Sequence, residues 1–264
     1  MVSITHHLLH NAETAQLYRN ATQSNYLRLA GQGKLPKDDL SKWLSQDRLY
    51  AQAYTRFIGG LISRLHLPMS SQRGTVDTLE WRVLAMLQGA LEGIMTELQF
   101  FEKTAREYDL DLQACSACSS SQGATDFRPD DVTKRYIDLF DSFGGEAKKN
   151  AGAQHKSLIQ GLVLLWATEK VYLDAWTYAK EQGGADAIAN GDDDLDGGAL
   201  RRHFIPNWTS DEFKRFVKEI QECVDACAAA YSAEDEVEKI AMEVWRDVLV
   251  LEESFWPSVK SRKE

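Results

Sequence analysis

The sequence predicts an all-α protein, a single-domain bundle of long helices. Apolar residues recur with the 3.6-residue period of a helix over most of the chain, and strand-like alternation is almost absent. Prolines are scarce and well separated, at positions 36, 68, 129, 206 and 257, which leaves long uninterrupted stretches between them. The 264 residues are enough for one large domain or two small ones. No internal repeat and no long linker divides them, so one domain over 1–264 is expected.

In chain order, residues 11–30 read as a helix that closes at Gly31. Pro36-Lys-Asp-Asp39 opens a second, running to about His66. Further helices are expected over roughly 76–108, 131–143, 153–181, 209–230 and 234–256. Gly59-Gly60 inside the second helix points to close packing. Two segments interrupt the pattern. Residues 111–130 are rich in Ser, Asp and Gly, and 183–203 combine Asp192-Asp-Asp-Leu-Asp196 with glycines at 183, 184, 197 and 198. Both read as surface loops. The acidic run lacks the EF-hand spacing and its closing Glu, so a solvated loop is expected rather than a calcium site.

Composition narrows the partners. Thirty Lys and Arg against 40 Asp and Glu leave a net charge of −10, which argues against nucleic acid or an anionic membrane as the main partner. No apolar run approaches the roughly 18–20 residues of a membrane span. The first residues lack the basic-then-apolar pattern of a signal peptide, so a cytoplasmic protein is expected and the sequons at Asn20 and Asn207 are read as coincidence. Cys115 and Cys118 have the spacing of half a zinc site, and Cys223 and Cys227 lie one helical turn apart. No flanking zinc-ribbon pattern accompanies them, and no metal is expected. GxGxxG, GxxxxGK, HExxH and paired Glu-x-x-His motifs are all absent, so no cofactor is expected either.

The informative feature is where three acids fall. Asp47 sits in the stripe Leu40, Trp43, Leu44, Tyr50, Tyr54, Phe57. Glu169 occupies a gap in Leu158, Leu162, Leu165, Trp166, Tyr172, Leu173, Trp176, and Glu252 lies on Val237, Ala241, Trp245, Val248, Phe255. A buried carboxylate costs several kcal/mol unless it is paired. Any one of the three is as readily explained by an inward Arg or a helix cap. Three together, beside Tyr54, Tyr136, Tyr172 and Trp208, favour a shared polar pocket lined by aromatics. Burial and mutual repulsion should hold at least one acid protonated, which suits acid–base chemistry or binding on a flat nitrogenous ligand.

At the same residues the chain resembles the TenA family, the thiaminase II-like branch of the heme-oxygenase-like helical fold. The resemblance runs in order through Ala21-Thr-Gln, Gly33-Lys-Leu-Pro36, Trp43-Leu-Ser-Gln-Asp47-Arg-Leu-Tyr50, Glu97-Leu-Gln-Phe-Phe-Glu102, Thr133-Lys-Arg-Tyr136 and Leu251-Glu252-Glu-Ser-Phe255-Trp256. Where thiaminase-type members have a nucleophilic Cys, this chain reads Leu165-Trp166-Ala-Thr-Glu169-Lys-Val-Tyr172. That is similar to the cysteine-lacking class of plants and other eukaryotes, with Glu169, or Thr168 one residue earlier, opposite the Cys. Asn207-Trp208 likewise resembles that class. A departure is Ser24-Asn25, where the family often has His after its Ala-Thr-Gln.

The resemblance implies thiamin salvage: hydrolysis of 4-amino-5-aminomethyl-2-methylpyrimidine, or its N-formyl derivative, to the hydroxymethylpyrimidine. It implies that Asp47 binds the amidine edge, that Tyr54, Tyr136, Tyr172 and Trp208 wall the ring, and that Glu252 and Glu169 move protons. A homodimer or homotetramer is implied too. Two alternatives stand beside the hydrolase: a non-catalytic pyrimidine-binding or regulatory protein, and a redox enzyme on the heme-oxygenase-like fold. Residues 11–30 hold no His for a proximal heme ligand, and the inward stripes hold none for a quinone-synthase site.

Overall fold

A computed structural model describes residues 3–69, 78–114, 127–144, 157–184, 193–231 and 234–259. The described residues form helices joined by turns and short irregular segments, with no strand among them. The helices are α1 (Ile4–Leu9), α2 (Ala15–Thr22), α3 (Asn25–Gly31), α4 (Lys37–Ile62), α5 (Leu79–Tyr108), α6 (Asp131–Asp141), α7 (Leu158–Gln182), α8 (Ile205–Trp208), α9 (Asp211–Ala229) and α10 (Glu234–Phe255). A π-helical turn, Leu200–Phe204, leads directly into α8.

α7 is the centre of the bundle. Residues from Gly161 to Thr168 are buried without interruption, as expected of a helix that is apolar all round. Around it pack α2, α3, α9 and α10, while α4 lies against α5 and α6. Two close approaches need glycine. A Cβ at Gly31 of α3 would stand 1.8 Å from the Ala179 carbonyl oxygen of α7, and one at Gly60 of α4 would stand 2.2 Å from that of Phe143. Gly60 is therefore a packing glycine, whereas a Cβ at Gly59 would meet nothing within 4 Å. Trp43 lies at the heart of an aromatic cluster, 5.4 Å from Trp176 and 5.5 Å from Trp256 between ring centroids.

The structure departs from the sequence expectation in three places. The expected 11–30 helix is two helices, because Ser24 takes an extended conformation and its hydroxyl accepts from the Leu27 amide, starting a new helix at Asn25. α1 precedes them; Asn11 turns the chain after it by accepting from the Glu13 amide. The third departure matters most for the site. Residues 193–203 are a built connection and not a solvated loop. Asp194, 9% exposed, pairs with the Arg201 guanidinium, and Asp196, 1% exposed, accepts from the amides of Gly198 and Leu200. Asp196 thus holds the Leu200 amide at the start of the π-helical turn, Asp194 braces the turn through Arg201, and together they fix the approach to α8. Leu195 is tied to the turn between α3 and α4 and to the start of α4 as well, its amide donating to the Gly33 carbonyl and its carbonyl accepting from the Lys37 amide.

The start of the 111–130 segment is docked on α4. Ser45 donates to the Asp111 carbonyl and accepts from the Ala114 amide, and Ser41 accepts from the Asp111 amide. Cys115 and Cys118 lie outside the described residues. Cys223 is buried on α9 and Cys227 half-buried, both as free thiols whose pKa values burial pushes up. No group of three or more His, Cys, Asp or Glu among the described residues is placed to hold a metal ion. No helix among them is long and apolar enough to cross a membrane.

Candidate active site

A cavity of about 730 Å³ opens between α4, α5, α7, α8 and α9. Its inner wall holds Asp47, Tyr50 and Tyr54 from α4, Thr168, Glu169 and Tyr172 from α7, and Trp208 from α8. Five of the seven residues singled out in the sequence thus line one cavity: Asp47, Tyr54, Glu169, Tyr172 and Trp208. Helical spacing explains the convergence. Asp47, Tyr50 and Tyr54 fall at i, i+3 and i+7 on α4, and Glu169 and Tyr172 at i and i+3 on α7, so each set shares one face.

Tyr136 and Glu252 are placed differently. Both are fully buried, yet neither is among the cavity-lining residues. The Tyr136 hydroxyl donates to Glu252 Oε1 at 2.5 Å. Tyr50, on the cavity wall, packs perpendicular to the Tyr136 ring at 5.0 Å, so the Tyr136–Glu252 pair lies behind Tyr50. Glu252 Oε2 is buried without a hydrogen-bond partner among the described residues. A buried ionised oxygen would be costly there, whereas a carboxylic acid loses little.

A fourth acid completes the set. Glu97 of α5 lines the cavity and accepts from the Trp208 indole Nε1 and, at 3.0 Å, from Asn207 Nδ2. It clamps the short α8 onto α5 and thereby sets the Trp208 ring, which lies 4.4 Å from Trp176 and 5.4 Å from Tyr172. In the sequence Glu97 opens one of the segments that resemble the TenA family, and it is not among the residues expected in the pocket. Its position three after Ile94 and four before Phe101 puts it on the apolar stripe of its helix, the same signal that marked the other three acids.

The electrostatics follow from burial. Desolvation pushes Glu252 up to about 8, opposed by its hydrogen bond from Tyr136 and reinforced by the negative charge of Glu169. Glu169 is pushed up to about 7 by desolvation, with hydrogen bonding to Tyr54 acting against it and Glu97 adding to the rise. Glu97 is also raised to about 7 by desolvation, against its hydrogen bonds from Trp208 and Asn207. Asp47, 4% exposed, is held well above the usual carboxylate range by desolvation and then by Glu97. Its hydrogen bond from the Tyr172 hydroxyl, 3.2 Å to Oδ2, works in the opposite direction. Among the cavity-lining residues the only base is Arg215, exposed on α9. The inward Arg that would make any of these acids purely structural is not found among the lining residues. The arrangement can present protonated acids and aromatic faces to a flat, nitrogen-rich ligand.

No family model matches the chain. A protein of Fusarium pseudograminearum (strain CS3096) named "Probable transcription factor" is 30% identical over 251 residues, covering 86% of this chain and 45% of that protein. The chain therefore spans under half of that relative's length. The "Probable bifunctional TENA-E protein" of Glycine max is 21% identical over 240 residues, covering 91% of this chain and 86% of that protein. Among solved structures, a TenA homologue from Pyrococcus furiosus superposes with a TM-score of 0.70 at 21% identity, over 96% of this chain and 98% of the other. The chain has the all-α fold of the TenA homologues and is similar in sequence to a plant TENA-E protein along most of its length.

Proposed function

We propose that the chain is a thiamin-salvage hydrolase that acts on 4-amino-5-aminomethyl-2-methylpyrimidine or its N-formyl derivative and gives the hydroxymethylpyrimidine. The observation that carries the reading is the set of three acids that line one aromatic cavity, Asp47, Glu97 and Glu169, with Glu252 buried behind the Tyr50 side of its wall and no base on the inner wall. A carboxylate beside an exocyclic amine and a protonated ring nitrogen accepts from both, and Asp47, oriented by Tyr172, is the acid for that edge. Tyr54, Tyr172 and Trp208 supply the faces that hold the ring.

The reaction needs a proton on the departing nitrogen. For the amine, the bond from the ring methylene to nitrogen breaks and ammonia leaves with a proton given by a carboxylic acid, while a water oxygen bonds to the methylene carbon and its released proton returns to that carboxylate. For the N-formyl form, water first adds to the amide and releases formate. Acids raised to about 7 and about 8 are held protonated near neutral pH, which suits Glu169 and Glu252 as donors. Glu169 touches the cavity directly; Glu252 acts through the Tyr136 and Tyr50 side of the wall. Assembly as a homodimer or homotetramer belongs to the same reading.

Mass spectrometry of the products from thiamin, the aminomethylpyrimidine and its N-formyl form tests the proposal. Hydroxymethylpyrimidine from either fragment supports it, and faster turnover of thiamin than of both fragments overturns it. The second reading, a regulatory pyrimidine binder, is favoured by the name of the Fusarium relative. It predicts binding of the same compounds with no product.

A further inference from the structure

Four consecutive residues of α4 serve three different parts of the protein. Ser45 and Arg48 hold the chain that follows α5, through Asp111, Leu112 and Ala114. Asp47 faces the cavity. Gln46 is buried, is not among the cavity-lining residues, and reaches the chain just before α6. Its side-chain amide spans Pro129: Nε2 donates to the Arg128 carbonyl at 3.3 Å, and Oε1 accepts from the Asp130 amide at 2.9 Å. Proline fixes its own φ and biases the residue before it toward an extended conformation, so these two backbone groups point to one side of the chain. Asp130 in turn caps α6, its carboxylate accepting from the Thr133 amide at 2.9 Å. α6 has 11 residues, too few to hold a helix without tertiary support, and its entry is tied to α4 by Gln46. On α6 stands Tyr136, whose hydroxyl donates to Glu252 Oε1, while Oε2 has no partner.

We propose that Gln46 is a positioning residue for Glu252: it sets the start of α6 against α4, and α6 brings the Tyr136 hydroxyl to the acid. Neighbouring residues of one helical turn thereby align the two halves of the site, Asp47 on the cavity and Gln46 behind the buried pair. The inference deepens the acid–base reading of the site and rests on it only for the effect on rate. A long amide is what the position requires, since it offers a donor and an acceptor at once to the two groups that flank Pro129. An apolar residue of the same length would fill the space and leave both groups without a partner. The groups that face Glu252 are Tyr136 of α6, Asp47 and Tyr50 of α4, and Glu169 of α7. Of these, the Tyr136 hydroxyl donates to the acid and favours its ionised form, whereas Glu169 opposes ionisation.

The test reads Glu252 through stability. The decline of stability with pH that this acid causes ends where the folded chain releases its proton, near 8. Urea titrations of the full chain from about pH 5 to about pH 10, each variant with and without Glu252→Gln, isolate that end point. Gln46→Met keeps the length and should move the end point up by about half a unit or more, as Tyr136→Phe does, because the acid loses the hydrogen bond that favours ionisation. With Glu252→Gln also present, Gln46→Met should cost the same stability at every pH. Gln46→Asn withdraws the amide by one methylene and should shift the end point in the same direction, which keeps the test open if the methionine variant does not fold. Both Gln46 variants should also lower kcat for the aminomethylpyrimidine by about tenfold or more while KM changes by less than about twofold. An end point that Tyr136→Phe moves and neither Gln46 variant moves would make Gln46 a structural tie and overturn the inference. An end point that none of the three moves overturns it as well. If the wild type turns over no aminopyrimidine, the hydrolase reading fails alone, and the end point still decides the role of Gln46.

Discussion

Glu252→Gln should flatten the dependence of stability on pH. The side chain is 2% exposed, one oxygen accepts from Tyr136, and the other is buried without a partner. Its pKa rises from 4.5 to about 8 on folding. The sign follows from proton counts. Between these two values the folded chain holds a proton that the unfolded chain has released, so stability is fully present below 4.5 and is lost as pH climbs through about 8. Each pH unit inside that window costs about 1.4 kcal/mol, or about 4 kcal/mol from this one group between pH 5 and 9. That figure is an upper bound, because water entering the cavity would solvate the ionised form. Glutamine keeps the shape and cannot ionise, so the variant should lose less stability than wild type over the same range. Removing the Glu252 charge should also lower Asp47 somewhat, since the negative charge of Glu252 contributes to its rise. Urea unfolding at pH 5, 7 and 9, followed by fluorescence of the buried Trp166, Trp176 and Trp245, measures the slope. Parallel stability–pH curves for wild type and Glu252→Gln would refute the reasoning, as would a wild type that gains stability toward pH 9.

Asp47→Asn removes a charge-assisted acceptor and should weaken binding of the hydroxymethylpyrimidine by about 1.5–3 kcal/mol in calorimetry; unchanged affinity would take Asp47 out of the binding edge. Glu169→Gln should lower kcat by roughly 10²–10⁴ with a smaller effect on binding, and should remove or shift one limb of a bell-shaped pH–rate profile. Glu97→Gln keeps one acceptor oxygen for two donors, so it should loosen α8 and raise the Kd for the same product while leaving the melting temperature within a few degrees. Gly60→Val drives a Cβ into the Phe143 carbonyl and should destabilise the fold by roughly 1–3 kcal/mol in urea titration.

Asp47, Glu169 and Glu252 were legible because a charge interrupting an apolar stripe is a local signal, and the helices that carry them are long enough to define a face. Glu97 obeyed the same rule, but its stripe is diluted by Gly89 and Gly93, which the cavity leaves open. The turn before α8 was illegible for a different reason. Pro206 follows it, and a proline reads as a break. In the structure the Ile205 amide reaches back five residues to the Leu200 carbonyl, the π-helical step, and Pro206 sits in the first turn of α8, where its missing N–H costs nothing. The carboxylates of Asp194 and Asp196 hold that geometry, and a reading that saw only an acidic run could not tell capping acids from solvated ones.

The same distinction explains why the inner acids point to a ligand. Asp194 and Asp196 are buried and satisfied by a guanidinium and by backbone amides, so their charge is part of the fold. The three cavity acids, and Glu252 behind them, accept only from neutral donors: Tyr172 on Asp47, Trp208 and Asn207 on Glu97, Tyr54 on Glu169 and Tyr136 on Glu252. Neutral donors orient a carboxyl group without compensating its charge, so burial keeps each pKa high and the cluster short of positive charge. A ligand that brings a protonated nitrogen to this wall would supply the missing charge and draw Asp47 back toward its ionised form. Binding should therefore be accompanied by a change in protonation, detectable as a buffer-dependent heat, and its affinity should pass through a maximum where the ligand is charged and the acid can still give up its proton. A binding heat independent of buffer ionisation at pH 6–8 would mean that the acids and the ligand exchange no net proton with solvent, and the cluster would then act by shape and hydrogen bonding alone.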